Sequence, residues 1–183
     1  PTRRSSDLFQ SHLFVYDHFG SVASGNLISR IRFLFKGCGC KVVFLDHITM
    51  AVADSDEAED ERRTLDRLMT RLASLANETH GTIVIVCHLS RSEGKPFEEG
   101  KQITLQSLRG SHGIAQNSAQ VIALERDQQA ETDEERDTCV VRVLKCRHSG
   151  MTGEAGKLRY HRTTGRLLEE KPNYDFEGGI PNG

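Results

Sequence analysis

Apolar residues recur along this chain in two rhythms. Val42-Val43-Phe44-Leu45 and Ile83-Val84-Ile85-Val86 are short continuous runs rich in β-branched residues. Runs of this kind read as strands buried on both faces, as in a parallel sheet. The first ends in Asp46-His47 and the second in Cys87-His88. Between them Leu65, Leu68, Met69, Leu72, Leu75 and Ala76 repeat at helical intervals. A helix from about Glu59 to Thr79 is expected, with acids early and Gly81 just past its end. Strand, helix and strand make one parallel unit. Ligands of open parallel sheets lie beyond the carboxyl ends of the strands, which is where Asp46 and His88 fall. A carboxylate there can hold hydrated Mg²⁺, and an imidazole can meet a phosphate. The bland alternative is a sheet whose strands merely end in polar residues.

The remaining pattern is sparser. Leu13-Phe14-Val15-Tyr16 reads as a short strand. Leu27, Ile28, Ile31, Leu34 and Phe35 mark a helix capped by Ser24 and ended by Gly37. Asp54 to Asp60 reads as an acidic loop. Ser90 to Gln106 is a long polar connection, and loops of that length are usually functional or disordered. Leu108-Arg109-Gly110-Ser111 opens a short helix to about Ala119. Val121-Ile122-Ala123-Leu124 reads as another buried strand, followed by a charged loop. Val140 to Arg147 turns to period-two alternation near its end. Gly150 and Gly153 mark a turn before a closing strand, Lys157 to His161. These last elements fit an antiparallel ribbon appended to a parallel sheet. Leu168 to Gly183 is polar, with Gly, Pro and Asn, and residues 171–183 are expected to be a disordered tail. Residues 1–8, Pro-Thr-Arg-Arg-Ser-Ser-Asp-Leu, resemble a translated sequencing adapter and are set apart from residues 9–170.

Composition narrows the class. The 183 residues are 37% hydrophobic and 27% charged, as expected of a globular domain with a real core. No apolar run approaches the roughly 18 residues of a membrane span, and no secretory signal is visible, so a cytoplasmic protein with no membrane partner is expected. Five cysteines, an odd number, do not make a disulfide framework. Cys87, Cys139 and Cys146 sit in apolar runs and read as small core residues. Neither Cys38-x-Cys40 nor Cys146-x-His148 has the usual zinc spacing. The net charge of −2 does not suggest nucleic acid. Its distribution is more informative. Arg142, Lys145, Arg147, Lys157, Arg159, Arg162 and Arg166 face a single acid, Glu154, in that stretch. Such segregation permits a local polyanion site.

Five stretches occur in order: Val42–His47, Ile83–Leu89, Ser107–Ser111, Ala123–Gln129 and Leu144–Arg147. Together they resemble the helicase half of the phage primase–helicase proteins, in the superfamily of the replicative helicases DnaB and Twinkle. The resemblance covers about residues 9 to 170. It implies a RecA-like α/β fold, a three-layer parallel sheet with a C-terminal antiparallel ribbon. It further implies a ring hexamer that hydrolyses ATP or dTTP with Mg²⁺ and moves 5′ to 3′ on single-stranded DNA, in a bacterial or phage-infected cell. A primase domain and a DNA polymerase are the further partners it suggests. Asp46 matches the Walker B carboxylate that orients Mg²⁺ through water. His88 matches the residue that contacts the γ-phosphate, and Gln116 shares that role. Arg147 matches an arginine finger given to the neighbouring subunit. Lys145, two residues earlier, would point to the same face of a strand. Arg126 and Tyr160 match a pair that sandwiches the base, as a guanidinium and a ring can. Arg91, Lys95, Arg109 and Gly110 match the DNA-binding loop and its adjoining motif, where phosphate contacts hold the strand without reading sequence.

Two departures stand out. No Gly-x-x-x-x-Gly-Lys-Ser/Thr occurs in the chain, so the fold is expected to lack its phosphate-loop strand, as in an N-terminally truncated fragment that neither folds stably nor hydrolyses nucleotide alone. Ala115 stands where the phage pattern has an arginine beside the glutamine. Two other readings share parts of the pattern: a RecA/RadA-type recombination ATPase, and a non-catalytic RecA-like interaction module.

Overall fold

The computed structural model describes residues 13–16, 24–49, 58–109 and 112–170. They divide into two compact units. One runs to Ser90 and takes in Leu108–Ser118; the other comprises Arg91–Ser107 and the chain from Ala119 onward. The adapter-like residues 1–8, most of the acidic loop, Gly110 and the tail from 171 lie outside the described residues.

In the first unit, helix α1 (Ser24–Lys36) leads into strand β1 (Val42–Leu45), helix α2 (Ala58–Thr79), strand β2 (Thr82–Ile85) and, later, helix α3 (His112–Asn117). β1 and β2 pair in parallel, Val42 opposite Thr82 and Leu45 opposite Ile85. The expected helical stripes are the observed core. Ile28, Ile31 and Phe35 of α1 pack with Leu65, Leu68, Met69, Leu72 and Leu75 of α2, Val43 of β1 and Ile114 of α3. Each such side chain contributes about 1.5–3 kcal/mol on burial, so the α1–α2 seam is the main hold on this unit. α1 stops where the N–H groups of Gly37 and Cys38 both reach the Phe33 carbonyl, at 2.7 and 3.1 Å. α2 stops at His80, with φ of 51°, and Gly81. A Cβ on Gly81 would collide with the Phe35 ring, so the turn passes directly over the core.

The second unit is a four-stranded antiparallel sheet in the order β3-β4-β5-β6. Its strands are β3 (Gln120–Glu125), β4 (Thr138–Cys146), β5 (Gly153–His161) and β6 (Arg166–Glu170), and a short helix α4 (Asp133–Asp137) lies before β4.

Several expectations change. Leu13–Tyr16 form no strand. The runs read as buried on both faces are buried on one. Val43 is in the core while Val42 is 46% and Phe44 73% exposed, because α1 and α2 cover one face and alternation turns the other side chains outward. Val84 and Val86 are likewise exposed. Among the described residues the Val121–Leu124 run pairs antiparallel with β4, Glu125 opposite Val140, with Ala123 buried and Leu124 65% exposed. The expected three-layer parallel sheet is therefore, among the described residues, a parallel pair and a separate antiparallel sheet. The charged loop contains α4, whose capping box joins Thr132 and Glu135. Leu168–Glu170 belong to β6 rather than to a tail, because the turn before it, with Gly165 at φ 67°, closes a hairpin. All five cysteines are free and only partly buried; Cys87 packs against the core cluster, as expected, while Cys139 and Cys146 lie outside it.

Candidate functional site

The carboxyl ends of β1 and β2 form a common rim. The ladder continues past the strands: Val86 N–H donates to the Leu45 carbonyl at 2.9 Å, and Ile48 N–H to the Val86 carbonyl at 3.1 Å. Asp46 is therefore exposed at the end of one strand and His88 at the end of the next. Between them stands His47, its ring centroid 4.0 Å from that of His88. A 2.5 Å hydrogen bond joins its Nδ1 to the hydroxyl of Thr49, which is buried. Arg109 reaches the same rim through its backbone, donating its N–H to the His88 carbonyl at 2.9 Å. Its own carbonyl lies 3.6 Å from the Cys87 Sγ, and burial pushes that thiol up from its ordinary value. Leu89 and Leu108 bridge alongside. Gln116 is exposed on α3.

A single exposed carboxylate suits Mg²⁺, which keeps several waters and uses one or two carboxylates with substrate phosphates. Among the described residues, no group of three or more His, Cys, Asp or Glu could form an all-protein metal cage.

In the second unit Arg91 and Lys95 are exposed on the long loop. That loop is built rather than structureless. Lys101 Nζ donates to Ser92 Oγ at 2.6 Å and to the Glu93 carbonyl at 2.9 Å. Ser92 Oγ donates to the Lys95 carbonyl at 2.7 Å. Gly94 and Gly100 take φ of 78° and 80°, the left-handed region that glycine favours.

Lys145 lies on β4 opposite Val121. Arg147 lies one residue past the end of β4, in a turn, though its N–H still donates to the Ala119 carbonyl at 2.8 Å. The expected run of strand through Arg147 thus stops at Cys146, because a turn closed by Gly150 N–H on the Cys146 carbonyl begins there. Arg126 is held at its post: Nε donates to the Arg136 carbonyl at 2.5 Å, and its guanidinium lies 3.6 Å from Asp137. Thr138 pairs with Arg159, so Asp137 and Tyr160 adjoin at the same end of the sheet. Arg126 lies just past the end of β3, and Tyr160 lies near the end of β5.

The structure thus gathers Asp46, His88 and Arg109 in one unit, and sets Arg126 and Tyr160 at one end of the sheet in the other. Two residues given no role from sequence hold central places: His47, against His88, and Glu125, beneath the loop. The only signal for either was its adjacency to a residue already singled out.

The fold is mixed α/β and RecA-like. The structure matches that of the KaiC-like protein PH0186 of Pyrococcus horikoshii OT3 with a TM-score of 0.54. That match covers 81% of this chain and 57% of the other at 14% identity, a likeness of fold. Residues 2–168 match the family model of the DnaB-like helicase C-terminal domain, and the chain belongs to that family. It is 42% identical over 163 residues to the DNA helicase/primase of Enterobacteria phage T3, over 88% of this chain. The chain spans 28% of that relative's length.

Proposed function

We propose that this chain is the motor portion of a replicative DNA helicase driven by nucleoside triphosphate hydrolysis. The observation that carries the reading is the common rim of β1 and β2, where Asp46, His88 and the Arg109 backbone meet in a member of the DnaB-like family. Asp46 orients Mg²⁺ through water. The ion, when bound, neutralises charge on the transferring phosphate. His88 contacts the γ-phosphate, and Gln116 shares that role. Arg147 and Lys145 serve the nucleotide of a neighbouring subunit in a ring. Arg126 and Tyr160 flank the base of ATP or dTTP. Arg91, Lys95, Arg109 and Gly110 hold the phosphates of single-stranded DNA. Translocation runs 5′ to 3′, and a primase domain and a DNA polymerase act beside the motor.

The chain contains no Gly-x-x-x-x-Gly-Lys-Ser/Thr. The apolar side chains bared on one face of β1 and β2 fit a longer protein in which the helix after a phosphate loop covers them, its strand pairing in the sheet beside β2. On this reading the 183-residue chain alone is inactive. The test is hydrolysis and duplex unwinding by the full-length protein. Mg²⁺-dependent hydrolysis stimulated by single-stranded DNA, with unwinding of a duplex bearing a 5′ tail, is the expected result. Hydrolysis indifferent to DNA, with no unwinding, contradicts it.

A further inference from the structure

The carboxylate of Glu125 serves two elements at once. Its Oε1 accepts from the backbone N–H of Ile103 at 2.8 Å. Both oxygens accept from Nε of Arg142, at 3.0 and 2.9 Å. The Glu125 side chain is only 9% exposed. Leaving such a carboxylate without its cation and its N–H donor costs far more than keeping it paired.

Around this point the loop is fastened to the end of β3. Gln128 N–H donates to the Glu98 carbonyl at 2.8 Å, and Glu99 bridges Asp127. Gly100 passes so close that a Cβ there would lie 2.8 Å from Asp127 Oδ2. Ile103 is buried. The cation of the pair, Arg142, stands on β4, the strand that carries Lys145 and leads into Arg147.

We infer that Glu125 is a positioning residue that couples the loop bearing Arg91 and Lys95 to the strand leading to Arg147. The inference rests on the helicase reading, in which the loop meets DNA and the end of β4 meets a triphosphate. When β4 shifts, the Arg142 guanidinium moves with it. Breaking its pair with Glu125 would strand a charge out of water, which costs more than moving a loop held by few backbone bonds. The loop therefore follows, through Glu125 and the Ile103 N–H.

The test uses the full-length protein. Glu125→Gln keeps an acceptor for Ile103 and removes the charge that Arg142 needs. Hydrolysis without DNA should stay within about twofold of wild type, while stimulation by single-stranded DNA falls about tenfold, a usual size for coupling between sites. Amide exchange over residues 98–103 should quicken. Arg142→Lys, which keeps the charge without the planar fork, should show the same loss in smaller measure. Full stimulation in folded Glu125→Gln protein, or in Arg142→Lys protein should the first not fold, overturns the coupling. A wild-type protein that ignores DNA overturns the helicase reading itself, so the two failures are distinguishable.

Discussion

The imidazoles of His47 and His88 stand with ring centroids 4.0 Å apart and planes tilted by 37°. One ring is tied by its Nδ1 to the Thr49 hydroxyl; the other lies at the open rim. The tied ring limits where the open one can turn, so the His88 rotamer is set by a residue on the neighbouring strand. In the full-length protein, His88→Ala is expected to cut DNA-stimulated hydrolysis about tenfold or more. His47→Ala should give a smaller loss in the same quantity, and His47→Phe, which restores a ring, should recover part of it. Phosphate release with and without single-stranded DNA checks all three.

Gly81 lies against the Phe35 ring with no space for a Cβ. Gly81→Ala is expected to destabilise the first unit by about 1–3 kcal/mol through overpacking. Denaturant unfolding measures it. Gly156, which has open space around its Cβ position and no left-handed φ, is the control for a packing effect.

The two long helices of this unit were legible because their apolar stripes repeat over more than two turns. Leu65, Leu68, Met69, Leu72 and Leu75 were named from spacing and are the buried face. Strands β1 and β2 were placed correctly but their burial was not, and Leu13–Tyr16 form no strand. A run such as Val42–Leu45 reads the same whether one face or two are covered, since the cover comes from elsewhere in space. The partner of β3 was illegible for a related reason: nothing in Val121–Leu124 says whether its neighbour runs parallel or antiparallel. α4 and β6 could have been read. Thr132-x-x-Glu135 is a capping box, and Thr164-Gly165 before Leu167-Leu168 marks a hairpin. The rim residues Asp46 and His88 followed from strand ends alone, while His47 and Glu125 needed coordinates, because their meaning lies in what they touch.

Outside the core, α1 and α2 are clasped by Glu78, which accepts from Arg32 at 2.8 Å and from Lys36 at 2.5 Å. The two cations hold its carboxyl at about 2, below the ordinary 4.5. A depressed carboxyl stabilises the fold above its unfolded pKa, and the contribution fades as pH falls from about 4.5 towards 2. All three side chains are exposed, so the effect is small and screened by salt. Acid titration of unfolding should show a shallower decline over that window for Glu78→Gln than for wild type, with the difference shrinking at high ionic strength.

Phe44 offers a separate test of what covers the bare face of β1 and β2, where its ring is exposed. In the full-length protein, where a phosphate-loop helix is proposed to lie on that face, Phe44→Ser should cost about 3–5 kcal/mol in denaturant unfolding, as for a buried aromatic. A cost within about 0.5 kcal/mol, as for a surface change, would mean the face stays bare.

The central claim is that one subunit's Asp46 and another's Arg147 serve the same nucleotide. Full-length Asp46→Asn and Arg147→Ala proteins, each inactive alone, should be mixed, purified as hetero-oligomers and assayed for DNA-stimulated hydrolysis. Recovered activity is the predicted result, because some interfaces then join an intact Asp46 to an intact Arg147. Hetero-oligomers as inactive as either parent would contradict the account.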